Sequence, residues 1–171
     1  KMAINNDDSD SMVLYGELLS EGKLVTENQE KAFNYFKMAA ENENPSALNH
    51  LGNMYHEGKG TDVNLKRALR YYEKASEYGN YHSYYNLGVM YKKGEGVDVD
   101  LKKAYRYFKK SADLGFSEAM FAIGLMYENG EGMEIDNSKA LEYYNNAANY
   151  NHPAALNNIG VMYLNGKNVT K

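Results

Sequence analysis

Apolar residues recur along the chain at steps of three and four, a spacing typical of amphipathic helices. A first run of this kind lies between residues 46 and 81 and comprises Ala47, Leu48, Leu51, Met54 and Tyr55. Gly58 and Gly60 then interrupt the pattern, as turn residues do. A second run follows them and comprises Ala68, Tyr71, Tyr72 and Ala75. The pattern predicts two helices joined by a short turn.

The same pattern returns every 36 residues. One glycine column consists of Gly16, Gly52, Gly88, Gly124 and Gly160, and a second consists of Gly22, Gly58, Gly94, Gly130 and Gly166. An aromatic column consists of Phe36, Tyr72, Phe108 and Tyr144, which we predict to lie in the core rather than to form a stacking surface for nucleic-acid bases. A sustained period of this length indicates stacked structural repeats, each too small to bury its apolar faces alone.

Local signals mark where the helices begin and end. Asn28, Asn64, Asp100 and Asp136 share one column, and their side chains suit the N-cap of each second helix. Gly79 and Gly115 are predicted to end two of those helices. The first-column glycines fall inside predicted first helices, where Gly costs about 1 kcal/mol relative to Ala. We therefore expect a close helix crossing there, without room for a Cβ atom.

The fold class predicted from this pattern is all-α, an α-solenoid of 36-residue helix-turn-helix repeats. The predicted segments are a polar lead-in at 1–10, repeats at 11–45, 46–81, 82–116 and 117–152, and a partial repeat at 153–171. The partial repeat contains a first helix and a turn.

One repeat closely resembles a known family. The residues Leu87-Gly88-x-Met90-Tyr91-x-x-Gly94-x-Gly96-Val97, continued by Asp100-x-x-Lys103-Ala104-x-x-Tyr107-Phe108-x-x-x-Ala112, are similar to the Sel-1-like repeat, a relative of the tetratricopeptide repeat. The resemblance extends from Ser11 to Gly166. It implies a right-handed superhelix of antiparallel helix pairs, with first helices lining a concave face.

The same resemblance implies a function. Members of the family are mostly non-enzymatic adaptors and scaffolds. They include the luminal adaptor subunit of the ubiquitin ligase of endoplasmic-reticulum-associated degradation, and bacterial signalling and host-interaction factors. Secreted bacterial members often join each helix pair by a disulfide, and the absence of Cys argues against that branch.

The terminal repeats depart from the pattern. Leu24 and Asn168 stand where the second turn glycine belongs. The last repeat stops after its first helix, which predicts that the chain is a segment of a longer array. The alternative is that this lone helix acts as a cap.

Composition and charge narrow the function further. The chain has 19 Lys and Arg against 23 Asp and Glu, a net charge of -4, which argues against a nucleic-acid or anionic-membrane binder. Without Cys it has no disulfides, thiolate zinc ligands or cysteine nucleophile. The longest apolar stretch, residues 119–126, is far too short to span a membrane. The Asn and Asp residues at positions 5–8 interrupt the start of the chain before any apolar run can form, so we expect no signal peptide in this sequence.

No catalytic or metal-binding arrangement is evident. His50 and His56 differ by about 120° around a helix, so we expect surface or inter-helix histidines rather than metal ligands. His82 and His152 fall near predicted turns, where we expect them to bond backbone carbonyls. Glu95 and Glu131 lie inside the Gly-x-Gly turns and would repel a phosphate. We therefore predict a non-enzymatic protein without cofactor or metal.

Positions that the repeat leaves free are the candidates for partner binding. By analogy with the tetratricopeptide helix pair, residues at fixed offsets from the mid-helix glycine face the concave groove. The predicted set is Asn49, Asn53, His56, Tyr85, Val89, Lys92, Phe121, Leu125, Glu128, Asn157, Val161 and Leu164. It begins polar and becomes apolar, and exposed apolar patches usually mark binding sites. The alternative is that tight curvature buries these side chains against the neighbouring first helix.

These observations predict a scaffold that binds a protein or peptide segment, without nucleic-acid binding or membrane insertion. The Asn-, Lys- and Tyr-rich, cysteine-free repeats resemble the central array of the luminal adaptor subunit, and this resemblance, together with the glycosylation sequon at Asn168, implies protein quality control in the endoplasmic reticulum. A microbial signalling or host-interaction adaptor is one alternative, and the cytoplasm is the alternative to a location in the lumen of the endoplasmic reticulum. A self-assembling module that stacks through its open last repeat is the other.

Overall fold

The computed structural model describes residues 9–22 and 24–166, and within these residues it contains nine helices and no strand. The helices are α1 (Ser9–Glu21), α2 (Gln29–Glu41), α3 (Pro45–Glu57), α4 (Leu65–Glu77), α5 (Tyr81–Lys93), α6 (Leu101–Asp113), α7 (Ser117–Asn129), α8 (Asn137–Ala148) and α9 (Pro153–Leu164). The predicted all-α class is confirmed. The sequon at Asn168 lies outside the described residues.

The chain divides into two compact units, residues 1–83 and 84–171, which we call the N-terminal and C-terminal units. The division falls within α5. Each unit has buried apolar residues of its own.

In the N-terminal unit, α1 packs on α2, α2 on α3, and α3 on α4. Its core combines small and large side chains and includes Met12, Leu19, Ala32, Phe36, Ala39, Leu48, Leu51, Met54, Tyr72 and Ala75. These residues come from the predicted apolar stripes. The unit is therefore built as the 3.6-residue periodicity requires.

In the C-terminal unit, α6 packs on α7, α7 on α8, and α8 on α9. Its core includes Leu87, Met90, Ala104, Phe108, Ala119, Ile123, Met126, Ala140, Tyr144, Ala147, Ala155 and Met162. The aromatic column predicted as core is thus buried in both units.

The mid-helix glycines lie where an aromatic ring of the following helix crosses. A Cβ atom on Gly52 would be 2.4 Å from Tyr72 Cε1, and one on Gly124 would be 2.5 Å from Tyr144 Cε1. The predicted close crossing is therefore confirmed at these positions. Gly160 is the exception, because no atom lies within 4 Å of its Cβ position in the part of the chain that the structure describes.

The predicted helix ends are also confirmed. The carboxamide and carboxylate oxygens of Asn28, Asn64, Asp100 and Asp136 accept hydrogen bonds from backbone N–H groups three residues later, at 2.8–3.0 Å. Gly79 and Gly115 follow α4 and α6 with φ of +75° and +90°. Glu43 and Asn151 occupy the equivalent positions after α2 and α8, with φ of 57° and 58°. The left-handed conformation is thus retained even where the sequence supplies no glycine.

One histidine prediction is corrected. His152 does not bond a carbonyl at this turn; its Nδ1 accepts a hydrogen bond from the backbone N–H of Ala155 at 3.2 Å and caps α9. His50 lies between helices as expected, stacked on Phe36 at 4.4 Å with its Nε2 2.9 Å from Glu17 Oε1.

Candidate functional site

Three of the twelve predicted groove residues, Asn49, Asn53 and His56, belong to α3 in the N-terminal unit. Asn49 is buried, and its Oδ1 accepts a hydrogen bond from the Ser83 hydroxyl at 3.0 Å. Asn53 Oδ1 accepts one from the Tyr72 hydroxyl at 2.8 Å. The sequence predicted an exposed position for Asn49, whereas the structure uses this side chain to bridge helices. A buried amide must find such partners.

The C-terminal unit contains a groove of about 340 Å³, which we call the aromatic groove. Five of the predicted residues line it, namely Tyr85, Val89, Lys92, Phe121 and Leu125. Helices α5 and α7 supply these side chains, and the mid-helix glycines Gly88 and Gly124 set the crossing of each helix against the next. The repeat therefore brings together side chains that are 36 residues apart in sequence.

Several aromatic rings line this groove and pack against one another. The Tyr85 ring lies 5.3 Å from the Phe116 ring in a T-shaped arrangement and 5.5 Å from the Phe108 ring. The Phe121 ring stacks on His152 at 4.6 Å and lies 5.5 Å from the Tyr144 ring. Such pairs hold each ring in place. Tyr85 and Phe121 remain half-buried, so part of each ring stays accessible.

Charged groups border the groove. Lys92 Nζ lies 2.6 Å from Glu131 Oε2, and Lys93 Nζ lies 3.6 Å from Glu95 Oε1. Burial raises the pKa of the Tyr85 phenol, and the negative charge of Glu118 adds to the effect. The phenol therefore stays neutral at physiological pH. The groove thus combines a neutral, mainly aromatic surface with a charged border.

Several lining residues were not predicted. Phe108, Glu118, Ala122 and His152 also line the groove. Phe108 was assigned to the core column and His152 to a turn. The groove residues were selected by fixed offsets from the mid-helix glycine on each first helix, and neither residue lies at such an offset. The proximity of His152 to Phe121 depends on the path of the α8–α9 turn.

The remaining predicted residues lie outside the lining of this groove. Glu128 accepts a hydrogen bond from the Tyr144 hydroxyl at 2.7 Å, and together with burial this bond raises the pKa of Tyr144. Asn157, Val161 and Leu164 are exposed on α9, and Leu164 is 88% exposed. The predicted set therefore separates into polar side chains that bridge helices, groove residues and an exposed helix face. Among the bridging side chains Asn49 is buried, whereas Asn53 and Glu128 are half-buried; His56 on α3 is also half-buried and lies outside the groove lining.

The described residues were also compared with the requirements of a metal site and of a membrane-spanning helix. Among residues 9–22 and 24–166, no group of three His, Asp or Glu side chains is arranged to hold a metal ion. Within the same described part of the chain, the helices are too short or too polar to cross a membrane.

Comparison with protein families gives five consecutive matches. The Sel1 repeat model matches residues 9–44, 45–80, 82–116, 117–152 and 153–171. The comparison with curated proteins finds no match.

Solved structures share the fold. A Sel1 repeat protein from Oxalobacter formigenes is 28% identical with a TM-score of 0.91, covering 97% of this chain and 69% of that one. A protective antigen of uropathogenic Escherichia coli strains, described as an SLR fold, is 27% identical with a TM-score of 0.87. It covers 95% of this chain, which spans 35% of the antigen's chain. The Helicobacter pylori cysteine-rich protein B, at 24% identity and a TM-score of 0.53, covers 70% of this chain and 97% of its own. These likenesses confirm the repeat solenoid.

Proposed function

Since the chain belongs to the Sel1 repeat family, whose fold generally mediates protein–protein interaction, we propose that it is a non-catalytic scaffold that binds a partner segment in the aromatic groove. The observation that carries this proposal is the position of Tyr85 and Phe121. Both rings are fixed by aromatic neighbours yet half-exposed in one groove.

The groove has suitable dimensions and chemistry for this role. Its volume of about 340 Å³ falls within the usual range of ligand sites, about 300–1,000 Å³. Aromatic residues are enriched among the few positions that dominate binding energy at protein interfaces. Val89 and Leu125 extend the apolar surface, and the ion pair of Lys92 and Glu131 borders it. We expect an apolar or aromatic anchor of the partner to enter here, with polar groups at its border.

The cellular setting remains a hypothesis within this proposal. The two settings considered are protein quality control in the endoplasmic reticulum and microbial signalling or host interaction. The identity of the partner decides between them.

The experiment is affinity capture from the native extract, with partners identified by mass spectrometry. Truncating Tyr85 or Phe121 to Ala is expected to weaken binding by about 2 kcal/mol each, roughly 30-fold. The double variant Tyr85→Ala/Phe121→Ala should therefore lose its partners while keeping its helical circular dichroism. Tyr150→Ala, an exposed aromatic of the same unit that does not line the groove, is the matched control. Identical partner lists for all variants would reject the aromatic groove as the binding site.

A second candidate function is self-association through α9. The other mid-helix glycines Gly16, Gly52, Gly88 and Gly124 each face a ring, whereas the Cβ position of Gly160 has open space around it within the described residues. Tyr163 and Leu164 next to it are 52% and 88% exposed. A helix from another copy could cover this apolar surface.

Sedimentation over a range of concentrations tests this candidate. Self-association predicts a larger species at high concentration that disappears in Tyr163→Glu/Leu164→Glu. If the sedimentation coefficient of the unmodified protein does not change with concentration, self-association is rejected and the monomeric scaffold is the remaining candidate.

A further inference from the structure

Positive charge is concentrated on two helices of this acidic protein. Helices α4 and α6 together carry nine of the 19 Lys and Arg residues of the chain. On α6, five basic residues face a single acidic one, Asp113. Helix α6 is therefore strongly basic although the chain as a whole has a net charge of -4.

Three of the five cations on α6 are already engaged. Lys103 Nζ donates a hydrogen bond to the Tyr91 hydroxyl at 2.6 Å and lies 4.0 Å from the centre of that ring. Lys110 Nζ lies 5.1 Å from the Tyr84 ring centre, and Lys109 pairs with Asp113. Their charge serves contacts within the protein.

Lys102 and Arg106 differ from these three. Both are exposed, and neither makes an ion pair with any other residue that the structure describes, although Arg106 Nε donates a hydrogen bond to the backbone carbonyl of Lys102 at 3.4 Å. They are four residues apart, so their side chains lie on one face of α6, with Cβ atoms about 5–6 Å apart. Two cations at this spacing match two carboxylates on an adjacent segment.

The same two cations border a second groove, of about 380 Å³, which we call the basic groove. It is lined by Lys102, Tyr105, Arg106, Tyr127, Gly132 and Met133. None of these residues lines the aromatic groove. The basic groove is therefore a separate feature of the C-terminal unit.

Its apolar part is held in a fixed arrangement. The Tyr105 and Tyr127 rings meet in a T-shaped contact at 6.1 Å, and their hydroxyl oxygens are 3.3 Å apart. Gly132 has φ of +76°, and a Cβ atom there would be 2.6 Å from Leu101 Cβ, so the turn packs closely on the start of α6. This packing positions Met133 beside the two tyrosines. The result is an aromatic surface flanked by two unpaired cations.

We propose that the basic groove binds an acidic segment of a partner protein, with its carboxylates on Lys102 and Arg106 and an aromatic or apolar side chain against Tyr105, Tyr127 and Met133. Charge complementarity carries this proposal, since the described part of the chain supplies no carboxylate to either cation. A nucleic-acid ligand is disfavoured, because nucleic-acid affinity comes largely from many Lys and Arg contacts to phosphates, and this groove offers two exposed cations. The acidic remainder of the protein would also repel a long polyanion.

The repeat provides a matched control. Lys66 and Arg70 occupy the equivalent positions on α4, but Leu69 stands where α6 has Tyr105. Loss of both cations on α4 changes the net charge by the same amount as loss of both on α6. The pair of double variants therefore separates a defined groove from general attraction to positive charge.

The test is a nuclear magnetic resonance titration of the full chain, which detects weak binding. The probe is a capped pentapeptide with two glutamates on each side of a tyrosine, and its neutral counterpart has glutamine at those four positions. We expect the acidic peptide to shift signals of residues 102–106, 127 and 132–133, and to bind at least tenfold more tightly than the neutral one. Lys102→Ala/Arg106→Ala should lower the affinity at least tenfold, whereas Lys66→Ala/Arg70→Ala should change it less than twofold. Tyr105→Leu should weaken this peptide more than one with glycine at its centre.

Three outcomes would overturn the proposal. The first is equal or absent binding of the acidic and neutral peptides. The second is an equal loss in the α4 and α6 double variants, which would indicate general charge attraction. The third is tighter binding of a twelve-nucleotide single-stranded DNA, or of phosphatidylserine vesicles, than of the acidic peptide. Circular dichroism checks that each variant keeps its fold, as the exposure of the substituted cations predicts.

Discussion

The two units use the same repeat positions for different purposes. Asn49 in the N-terminal unit and Tyr85 in the C-terminal unit stand three residues before equivalent glycines. Asn49 is buried and accepts a hydrogen bond from Ser83, whereas Tyr85 is half-exposed in the aromatic groove. The position one residue after the glycine shows the same contrast. Asn53 accepts a hydrogen bond from the Tyr72 hydroxyl, whereas Val89 lines the groove.

This contrast separates the recurring glycines, aromatic rings and N-caps, which we call the repeat frame, from the variable positions between them. Glycines, aromatic rings and N-caps recur in both units with the same contacts. The positions between them are filled with bridging amides in one unit and accessible apolar groups in the other. The capacity to bind a partner therefore depends on which side chains fill the positions that the frame leaves free.

The largest expected effect concerns the frame. Gly52→Leu and Gly88→Leu should each lower the free energy of unfolding by about 3 kcal/mol, because the added side chain overlaps the ring of Tyr72 or Phe108. Gly160→Leu, with open space at its Cβ position, should instead raise it by about 0.5 kcal/mol through higher helix propensity. Chemical denaturation measures all three. Equal stability of Gly88→Leu and Gly160→Leu would contradict the close-crossing role of the glycine.

The next effect tests the polar bridge of the N-terminal unit. Asn49→Ala should cost about 2 kcal/mol of unfolding free energy, because it removes the acceptor of the buried Ser83 hydroxyl. It should leave partner capture unchanged, in contrast to Tyr85→Ala. Adding Ser83→Ala should recover part of the loss, since both polar partners are then gone. A strictly additive double variant would show that the two side chains are not coupled.

A smaller effect concerns the turns after the second helices. Asn151 has φ of 58°, which glycine adopts without strain. Asn151→Gly should therefore stabilise the protein by about 0.5 kcal/mol, since the relief of strain exceeds the added chain entropy only slightly. Gly115→Ala, at the equivalent position with φ of +90°, should destabilise it by about 1 kcal/mol. Thermal unfolding followed by calorimetry compares the two variants. The same sign for both would contradict this account.

The smallest effect concerns pH. The hydrogen bond from the Lys139 backbone N–H holds the pKa of Asp136 below its ordinary value of 3.8. A carboxylate with a lowered folded-state pKa contributes stability that is present above the unfolded pKa and lost as pH falls through the folded pKa. The difference in melting temperature between the unmodified protein and Asp136→Asn should therefore change below about pH 4. Asn64→Asp should introduce the same acid dependence at the equivalent cap of the N-terminal unit. If the melting temperatures of all three proteins change with pH in the same way between pH 2 and 6, this role of the carboxylate is excluded.

Much of the fold could be predicted from the sequence because its signals are local or periodic. The 36-residue period defined the glycine and aromatic columns, and the caps at Asn64 and Asp100 followed from the chemistry of a helix start. The close crossing predicted for the glycine column is missing at Gly160, because within the described residues no helix follows α9 to supply a ring, as expected for a repeat that stops after its first helix. The prediction failed for the partner of His152, because a ring nitrogen can accept from an N–H as readily as it donates to a carbonyl.

The sequence by itself determined the family, the repeat, the helix ends and the apolar character of Tyr85 and Phe121. Only the tertiary structure decided which free positions are accessible. Asn49 and Tyr85 occupy equivalent positions, yet their exposure depends on neighbours from other segments, such as Ser83 on α5 and Phe116 just before α7. The basic groove likewise required knowing which cations on α6 already have partners. Burial and charge pairing are properties of contacts between distant segments, which a periodic pattern along one chain does not specify.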